Sequence, residues 1–206
     1  MSDKLYLYPI WIRLWHVCNA LLFFILITTG LSMQYSSPEH PLIRFDYAVS
    51  IHNICGILLT ANYIFFFIGN MVTPNGKYYK TSIKGISGRL KTQYRYYTSG
   101  IFKGGKAPFP VTKEHKFNPL QQFTYLVAMY VFIPAIFITG WALLYPEVLF
   151  NRLLGISGLR VNDFLHIVTG FLASIFMFVH IYFCTIGRTP ISSFKSMVNG
   201  YHETHD

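Results

Sequence analysis

The sequence predicts an all-α integral membrane protein, a bundle of four transmembrane helices. Of its 206 residues, 52% are hydrophobic and only 12% are charged, which is too apolar for an ordinary soluble domain. Four charge-free stretches are each long enough to cross a hydrocarbon core of about 30 Å as a helix; they cover residues 14–38, 47–76, 117–146 and 164–187. We therefore predict a single membrane domain, residues 1–206, with spans at about 12–34, 47–71, 119–144 and 163–187.

The basic residues are concentrated on one side of the predicted membrane. Ten of the 17 Lys and Arg residues fall in the loop 72–118, and an excess of basic residues marks the cytoplasmic loops of multi-pass proteins. We therefore expect this loop and both termini to be cytoplasmic. The net charge of +9 then reflects topology and contact with anionic membrane lipid, and indicates no nucleic-acid partner. The ten residues are Lys77, Lys80, Lys84, Arg89, Lys91, Arg95, Lys103, Lys106, Lys113 and Lys116.

Four histidines fall inside the predicted spans. Two of them, His166 and His180, lie fourteen residues apart in the last span, which places both rings on one helix face about 21 Å apart along the axis. Polar residues inside a span are costly and usually functional. The predicted topology puts His52 level with His166 at the outer surface, and His16 level with His180 at the cytoplasmic surface.

Two histidine pairs at opposite surfaces suit the axial ligation of two b-type haems, because buried imidazoles are standard axial ligands. The sequence contains no C-x-x-C-H motif, so any haem is bound non-covalently. Zinc would gather three or four ligands at one site, which two separated pairs do not supply. The alternative is that the histidines form interhelical hydrogen bonds in a haem-free protein.

Further candidate haem contacts are four glycines and one arginine. A glycine leaves room where a flat macrocycle would pass, although small residues also serve ordinary packing between membrane helices. Arg13, one turn before His16, is a candidate partner for an anionic haem propionate, and its alternative role is that of a flanking arginine at the cytoplasmic surface. The glycines are Gly30, Gly56, Gly140 and Gly170.

These motifs resemble the di-haem cytochrome b family of bacterial cytochrome b-561 proteins, which supplies membrane subunits of nickel-iron hydrogenases, formate dehydrogenase-N and thiosulfate reductases. The likeness covers all four spans and rests on Arg13-x-x-His16, Thr29-Gly30, His52-x-x-x-Gly56 and the spacing of His166 and His180. The segment Lys116–Gln121 looks like the family's sequence at the start of the third span. The tail looks like the thiosulfate-reductase branch in its residues Gly187-Arg188-Thr189-Pro190 and Gly200-Tyr201.

The resemblance implies two haem b groups held by the outer and inner histidine pairs. It also implies a menaquinone or ubiquinone site beside the inner haem, near Asn118 and His180. Pro119 and Leu120 stand where some relatives have Ala-Gly, which leaves one backbone contact to the quinone open. Asn118 equally suits the N-cap of the third span with Pro119 at its first position, and both roles are compatible.

We expect an electron conduit of the bacterial inner membrane, running between a periplasmic redox partner and the quinone pool through the two haems. The chain would be the quinone-reactive subunit of an oxidoreductase complex, without catalytic residues of its own. The resemblance implies a hydrogenase, a molybdoenzyme with an Fe–S subunit or a multihaem cytochrome c as the partner. The alternatives are a stand-alone superoxide:quinone oxidoreductase, active without a partner, and a haem-free membrane anchor.

Overall fold

The computed structural model describes residues 4–37, 39–80, 84–153, 155–186 and 189–203. Within these ranges the chain is overwhelmingly helical. The helices are α1 (Ile10–Tyr35), α2 (Phe45–Val72), α3 (Ile86–Arg95), α4 (Pro119–Val127), α5 (Ile133–Leu144), α6 (Gly158–Cys184) and α7 (Ser192–Asn199). The strands are β1 (Lys4–Tyr6), β2 (Arg152–Leu153), β3 (Ile156–Ser157) and β4 (Tyr201–Glu203). Short 3₁₀ turns cover Pro74–Tyr79, Ile101–Lys103 and Pro146–Val148, and π-helical turns cover Tyr96–Gly100 and Ala128–Phe132.

Four helical stretches are long and apolar enough to cross a membrane. They are α1, α2, α4 continued into α5, and α6. Only 11–17% of the residues in their apolar windows are buried inside the protein, so most of their large hydrophobic side chains face outward, where lipid solvates them. The predicted all-α membrane bundle of four helices is confirmed.

The last spanning helix begins earlier than its apolar stretch. Helix α6 starts at Gly158, five residues before the predicted start at 163, and includes Arg160 and Asp163 in its first turns. A helix satisfies its own backbone hydrogen bonds in water and in lipid alike, so it can extend beyond the hydrocarbon core. The charge-free window indicates the limits of that core and not the ends of the helix. The predicted end at 187 and the tail residues Gly187 and Arg188 lie outside the described residues.

The third span changes helical register at a proline. The π-helical turn Ala128–Phe132 separates α4 from α5, and Pro134 follows directly. Proline has no N–H to donate and its ring crowds the carbonyl four residues earlier, which here is that of Tyr130. A wider π turn at that carbonyl relieves the crowding.

The described residues fall into two compact units. The first gathers the described parts of 1–13, 68–129 and 180–206, and the second comprises 14–67 and 130–179 with the exception of residue 38 and residue 154. The second unit has an apolar core in which Leu22, Cys55 and Leu59 are buried together. Cys55 thus serves as a small packing residue. The partly buried side chains around this core are those of Phe23, Leu26 and Phe137.

The first unit ties the two ends of the chain together. Strand β1 pairs antiparallel with β4, with Leu5 opposite His202. The backbone N–H groups of Leu7 and Tyr8 both donate to the carbonyl of Gly200, at 3.0 and 3.2 Å. This pairing joins the segment that precedes α1 to the segment that follows α7.

We expect Gly200→Ala to lower the free energy of unfolding more than Gly104→Ala does. Both glycines end a helical segment with positive φ, 87° and 68°, where an L side chain costs about 1–2 kcal/mol. A Cβ on Gly200 would also lie 2.7 Å from Cε2 of Tyr6 and 2.8 Å from the carbonyl oxygen of Tyr8, whereas one on Gly104 would meet no described heavy atom within 4 Å. Thermal unfolding midpoints of the purified variants test this, and equal shifts would contradict the close packing of the chain ends.

Candidate functional site

The structure brings together the two histidines predicted as the outer pair. His52 lies on α2 and His166 on α6, both in the second unit, and their ring centroids are 6.2 Å apart. The two ring planes are inclined at 74°. Both side chains are half-buried. Two imidazoles on two different helices therefore approach one another inside a membrane-spanning unit.

A threonine of α1 orients the first imidazole. The hydroxyl of Thr29 donates to the carbonyl of Ile25 in its own helix at 2.8 Å, and it also lies 2.9 Å from Nδ1 of His52. A hydroxyl has a single proton to donate, so the second contact runs the other way, and Nδ1–H of His52 donates to Oγ1 of Thr29. The Thr29 side chain is 1% exposed, so solvent does not compete.

A threonine of α5 holds the second imidazole in the same way. The hydroxyl of Thr139 donates to the carbonyl of Ala135 at 2.7 Å and lies 2.9 Å from Nδ1 of His166. Both imidazoles therefore carry their proton on Nδ1 when neutral. This leaves the lone pair of each Nε2 for a metal, and an orienting hydrogen bond of this kind accompanies nearly every metal-binding histidine.

Glycine follows threonine at both positions and admits the ring. A Cβ on Gly30 would lie 3.6 Å from Cε1 of His52, and one on Gly140 would lie 3.2 Å from Cε1 of His166. The second distance is shorter than ordinary carbon contact, so alanine at 140 would push the imidazole away from the hydroxyl of Thr139. Gly140 therefore gives clearance to the ring of His166, whereas a Cβ on Gly30 would only contact the ring of His52; any clearance for a haem at either glycine stays a prediction.

The other two glycines lie one turn after the histidines. A Cβ on Gly56 or on Gly170 would meet no heavy atom within 4 Å among the described residues. Four residues further on, the hydroxyls of Thr60 and Ser174 donate back to the two glycine carbonyls at 2.9 and 2.7 Å. Helices α2 and α6 thus repeat one pattern of histidine, glycine and hydroxyl, and each leaves room beside its histidine. The haem-clearance role of this pair also stays a prediction.

An asparagine secures the threonine that orients His166. Asn162, buried on α6 one turn before His166, donates from Nδ2 to the carbonyl of Thr139 at 2.9 Å. Helix α5 is also tied to α2, because the indole N–H of Trp141 donates to the hydroxyl of Thr60 at 3.2 Å. These bonds lock the helices whose separation sets the distance between the two imidazoles.

His180 lies in the first unit among aromatic side chains. Its Nδ1 is 3.4 Å from the hydroxyl of Tyr125, and its Nε2 is 3.8 Å from Sγ of Cys184. The ring of Tyr125 packs edge-on against Phe117, with centroids 4.9 Å apart, and Tyr97 packs on Phe183 at 5.0 Å. We call Tyr97, Phe117, Tyr125 and Phe183 the aromatic cluster.

Asn118 caps the third span. Its Oδ1 accepts the backbone N–H of Gln121 at 2.9 Å, and the Gln121 side chain accepts the backbone N–H of Asn118 at 3.2 Å, which completes a capping box. The Nδ2 group donates to the hydroxyl of Tyr97 at 2.8 Å. The capping role is therefore confirmed, and a quinone contact, for which one side-chain N–H remains, stays a prediction.

Arg13 belongs to the first unit and contacts α7. One guanidinium nitrogen, Nη1, donates to the carbonyl of Val198. Its Nε is buried and has no hydrogen-bond partner among the described residues, which suits an acidic group such as a propionate. His16 lies on α1 in the second unit, half-buried. The propionate contact of Arg13 and the pairing of His16 with His180 stay predictions.

The geometry of His52 and His166 fits a metal held by two axial imidazoles. A ligating nitrogen lies about 2 Å from its metal and the ring centroid about 1.1 Å further back, so two opposed imidazoles place their centroids about 6 Å apart. The observed distance is 6.2 Å. Within the described parts of the chain, no three His, Cys, Asp or Glu side chains are grouped to hold a metal ion. A macrocycle that supplies its own equatorial ligands needs only the two axial ones.

Spanning helices that carry paired imidazoles, each with its Nδ1 engaged and its Nε2 available, define a membrane cytochrome of the b type. Comparison with known proteins agrees with this class. The profile of the prokaryotic cytochrome b561 family matches residues 7–200. A curated relative, "Putative cytochrome YdhU" of Escherichia coli (strain K12), is 39% identical over 201 residues, which is 98% of this chain and 76% of that protein. The chain belongs to the prokaryotic cytochrome b561 family, and the resemblance seen in the sequence is confirmed.

Family membership implies that the chain binds haem b and is a multi-pass bacterial membrane protein. Sequence reasoning missed the side chains that hold the candidate histidines, namely those of Thr29, Thr139 and Tyr125, and that of Asn162, which secures Thr139. A signal was present for the first two, because a Thr-Gly pair occurs near the outer end of each of the two spans that lack an outer histidine. The sequence predicts a contact for the glycine of each pair and none for the threonine.

We expect Thr139→Val to lower the free energy of unfolding by about 1–3 kcal/mol, because it leaves the Nδ1–H of a half-buried imidazole without its hydroxyl acceptor. Thr139→Ser keeps the hydroxyl and should remain close to the wild type. The midpoint of thermal unfolding and the amount of bound haem are the measurements.

Thr169→Val is the matched control. Its hydroxyl also donates to its own helix, at 2.7 Å from the carbonyl of Leu165, but orients no histidine. A loss of stability in Thr169→Val as large as in Thr139→Val would show that the back-bonded hydroxyl, rather than the imidazole contact, is what matters.

Proposed function

We propose that this chain carries electrons across the bacterial inner membrane between a periplasmic redox subunit and the quinone pool, using two haem b groups with bis-histidine ligation. The observation that carries the proposal is the His52–His166 pair, oriented for metal binding by two threonines, on a helix that also bears His180 fourteen residues further on. When bound, the haems supply the one-electron chemistry.

The protein's contribution to that chemistry is to hold and orient the ligands. His52 and His166 would hold the outer haem, and His16 with His180 the inner one. The hydroxyls of Thr29 and Thr139 keep each outer imidazole in one tautomer and one orientation. The haems would be bound without a covalent link to any cysteine.

The orientation follows from charge. The basic loop 72–118 would face the cytoplasm, and the pairing of β1 with β4 supports placing both termini on one side. The quinone would then react near the cytoplasmic surface. A partner is expected at the outer surface, where the described residues of the loop between α5 and α6 form short turns and the two-residue strands β2 and β3.

The aromatic cluster around His180 supports a quinone site. A quinone head group is flat and apolar with two carbonyl oxygens, and it suits a pocket of aromatic faces with a few polar groups. Tyr125 brings a hydroxyl to within 3.4 Å of Nδ1 of His180. Tyr97 is tied to Asn118, so the residue predicted to contact quinone adjoins this cluster.

We expect the purified wild-type protein to hold two haems per chain, and both His166→Ala and His180→Ala to hold one. Each change removes one axial ligand from a different pair, so the two variants should lose different haems. Haem is quantified from the dithionite-reduced minus oxidised spectrum. Electron paramagnetic resonance adds a second readout for the outer site, because imidazole planes inclined at 74°, as those of His52 and His166 are, would give a highly anisotropic low-spin ferric signal, which His166→Ala should abolish.

His40→Ala and His115→Ala are matched controls, because both side chains are exposed outside the spans. Two haems in either ligand variant would exclude the proposed ligation. A folded wild-type protein that binds no haem would contradict the proposed electron transfer.

We expect Tyr125→Phe to keep two haems and to slow the reduction of the oxidised protein by duroquinol about tenfold, because loss of one hydrogen bond at the reacting oxygen is worth roughly 1.4 kcal/mol. Anaerobic stopped-flow absorbance at the haem band is the measurement. Tyr63→Phe, in the second unit, should react at the wild-type rate. An unchanged rate in Tyr125→Phe would move the quinone site away from this tyrosine.

A further inference from the structure

Lys116 differs from the other basic residues of the loop 72–118. Its side chain is 3% exposed, whereas the other lysines and arginines of the loop that the structure describes are exposed or half-buried. A lysine that serves topology or binds anionic lipid has to reach the membrane surface. Lys116 does not, so its position needs a different explanation.

The ammonium group of Lys116 is enclosed by aromatic rings. Nζ lies 4.2 Å from the ring centroid of Tyr8 and 5.5 Å from those of Tyr78 and Phe117. Its hydrogen-bond acceptor is Oδ1 of Asn75 at 3.5 Å. Three aromatic faces stabilise a cation, but one distant amide oxygen satisfies only one of the three N–H donors that a lysine has.

No carboxylate within the described residues forms an ion pair with Lys116. The titratable groups facing Lys116 are the phenols of Tyr8 and Tyr78. The ammonium group of Lys77 also lies over the ring of Tyr78, 4.9 Å from its centroid. On its own segment Lys113, Glu114 and His115 are exposed; they are the remaining ionisable neighbours. A buried cation without a counter-ion is costly unless it can lose its proton.

Burial lowers the pKa of Lys116 from 10.5 to about 7. Burial raises the pKa of the Tyr8 phenol to about 12, with a smaller contribution from Cys184. Tyr8 therefore remains a neutral phenol over the physiological range. Lys116 is then the group of this pair that changes protonation near neutral pH.

The acceptor of Lys116 is itself fixed. Asn75 is buried and donates from Nδ2 to Oδ1 of Asn70 at 2.7 Å, and its backbone N–H is capped by the hydroxyl of Thr73 at 3.4 Å. The side-chain oxygen of Asn75, Oδ1, is thereby turned towards Nζ of Lys116. An amide accepts from an ammonium and from a neutral amine alike, so this contact survives a change of protonation.

Lys116 adjoins the aromatic cluster. Phe117, the next residue, packs at 4.9 Å against Tyr125, whose hydroxyl lies 3.4 Å from Nδ1 of His180. Asn118, the residue after that, is bonded to Tyr97. All of these residues belong to the first unit. A buried amine that can hold or release a proton is thus one residue away in sequence from the site where a quinone would react.

We propose that Lys116 exchanges a proton with the quinone bound at the aromatic cluster, an inference that rests on the proposed function. Oxidation of a quinol to a quinone releases two electrons and two protons. As the first O–H bond of the quinol breaks, an N–H bond forms on the neutral amine of Lys116, and one electron would pass to the oxidised haem of the proposed function. The ammonium then gives its proton to cytoplasmic water, and the regenerated amine takes the second proton as the second electron leaves by the same route. In the direction of quinone reduction, the same ammonium donates to the quinone oxygen.

The test follows the reduction of the haem-loaded protein by duroquinol in anaerobic stopped-flow experiments from pH 5.5 to 9.5. We expect the wild-type rate to rise with pH through an apparent pKa near 7, because the neutral amine accepts the proton. Lys116→Met should lower the rate about 100-fold at pH 8, the lower end of the range for general acid–base groups, and should lose that pH dependence. Reduction by dithionite, which needs no proton acceptor, should be unchanged.

Lys116→Arg separates proton exchange from a purely electrostatic role. Arginine keeps a positive charge and stays protonated, so it should react as slowly as Lys116→Met if a proton is exchanged. If Lys116 serves only as a counter-ion for a propionate or a lipid phosphate, Lys116→Arg should restore the rate and the inference is overturned. Lys113→Met, on the same segment but exposed, is the matched control and should behave as the wild type.

Stability gives an independent readout of the titration of Lys116 near neutral pH, which proton exchange requires. A lysine whose pKa is lowered in the fold binds fewer protons than in the unfolded chain between pH 7 and 10.5, so its cost is largest below pH 7 and disappears as pH approaches 10.5. Lys116→Met should therefore raise the thermal midpoint at pH 7 and lose this advantage near pH 10.5. A lower midpoint at pH 7 would overturn the inference.

The failure of this inference can be told from the failure of the proposed function. If Lys116→Met retains the wild-type rate and pH profile while the wild type reacts with duroquinol, only the role of Lys116 is excluded. If the haem-loaded wild type does not react with duroquinol at any pH, the quinone site is excluded and the role of Lys116 with it.

Discussion

The hydrogen bond from an imidazole Nδ1–H to a threonine hydroxyl is the interaction on which the paired-histidine site depends. Inside a membrane no water satisfies a polar ring, so a partner has to come from a neighbouring helix. Thr29 and Thr139 provide this partner, each at 2.9 Å from an imidazole Nδ1. Each threonine hydroxyl also donates its own hydrogen bond to the backbone carbonyl one turn earlier. The glycine after Thr139 follows from this bond, because a Cβ on Gly140 would lie 3.2 Å from Cε1 of His166, whereas a Cβ on Gly30 would make an ordinary contact with His52 at 3.6 Å.

The two units differ in the chemistry that surrounds their histidines. In the second unit, the hydroxyls of Thr29 and Thr139, which do not ionise at physiological pH, hold His52 and His166 each in one tautomer. In the first unit, His180 lies among aromatic residues, and a buried lysine adjoins them. Under the proposed function, the outer site needs only to pass electrons, which favours a rigid and proton-free setting. A quinone also exchanges protons, and the first unit places the titratable Lys116 next to its aromatic cluster.

Much of the architecture could be predicted because a bilayer imposes simple local rules. A stretch of about 20 uncharged residues becomes a span whatever its partners are, and the four stretches of this chain did so. The approach of His52 to His166 could be predicted because topology assigns the depth of each residue. The start of α6 at Gly158 could not, because a helix continues into water beyond its apolar part. The form of the π turn before Pro134 could not either, since the neighbouring helices decide how the freed carbonyl is accommodated.

The sequence by itself determined the membrane class, the family and the common level of His52 and His166, because hydropathy, charge and residue spacing along a helix are local properties. Only the tertiary structure decided that Thr29 and Thr139 are the acceptors of the imidazole protons, since each bond joins residues 23 or 27 positions apart on different helices. It also decided that Lys116 is enclosed while Lys113 is exposed. In the sequence both are basic residues of one loop, and burial depends on the rings of Tyr8 and Tyr78, which folding brings from distant segments.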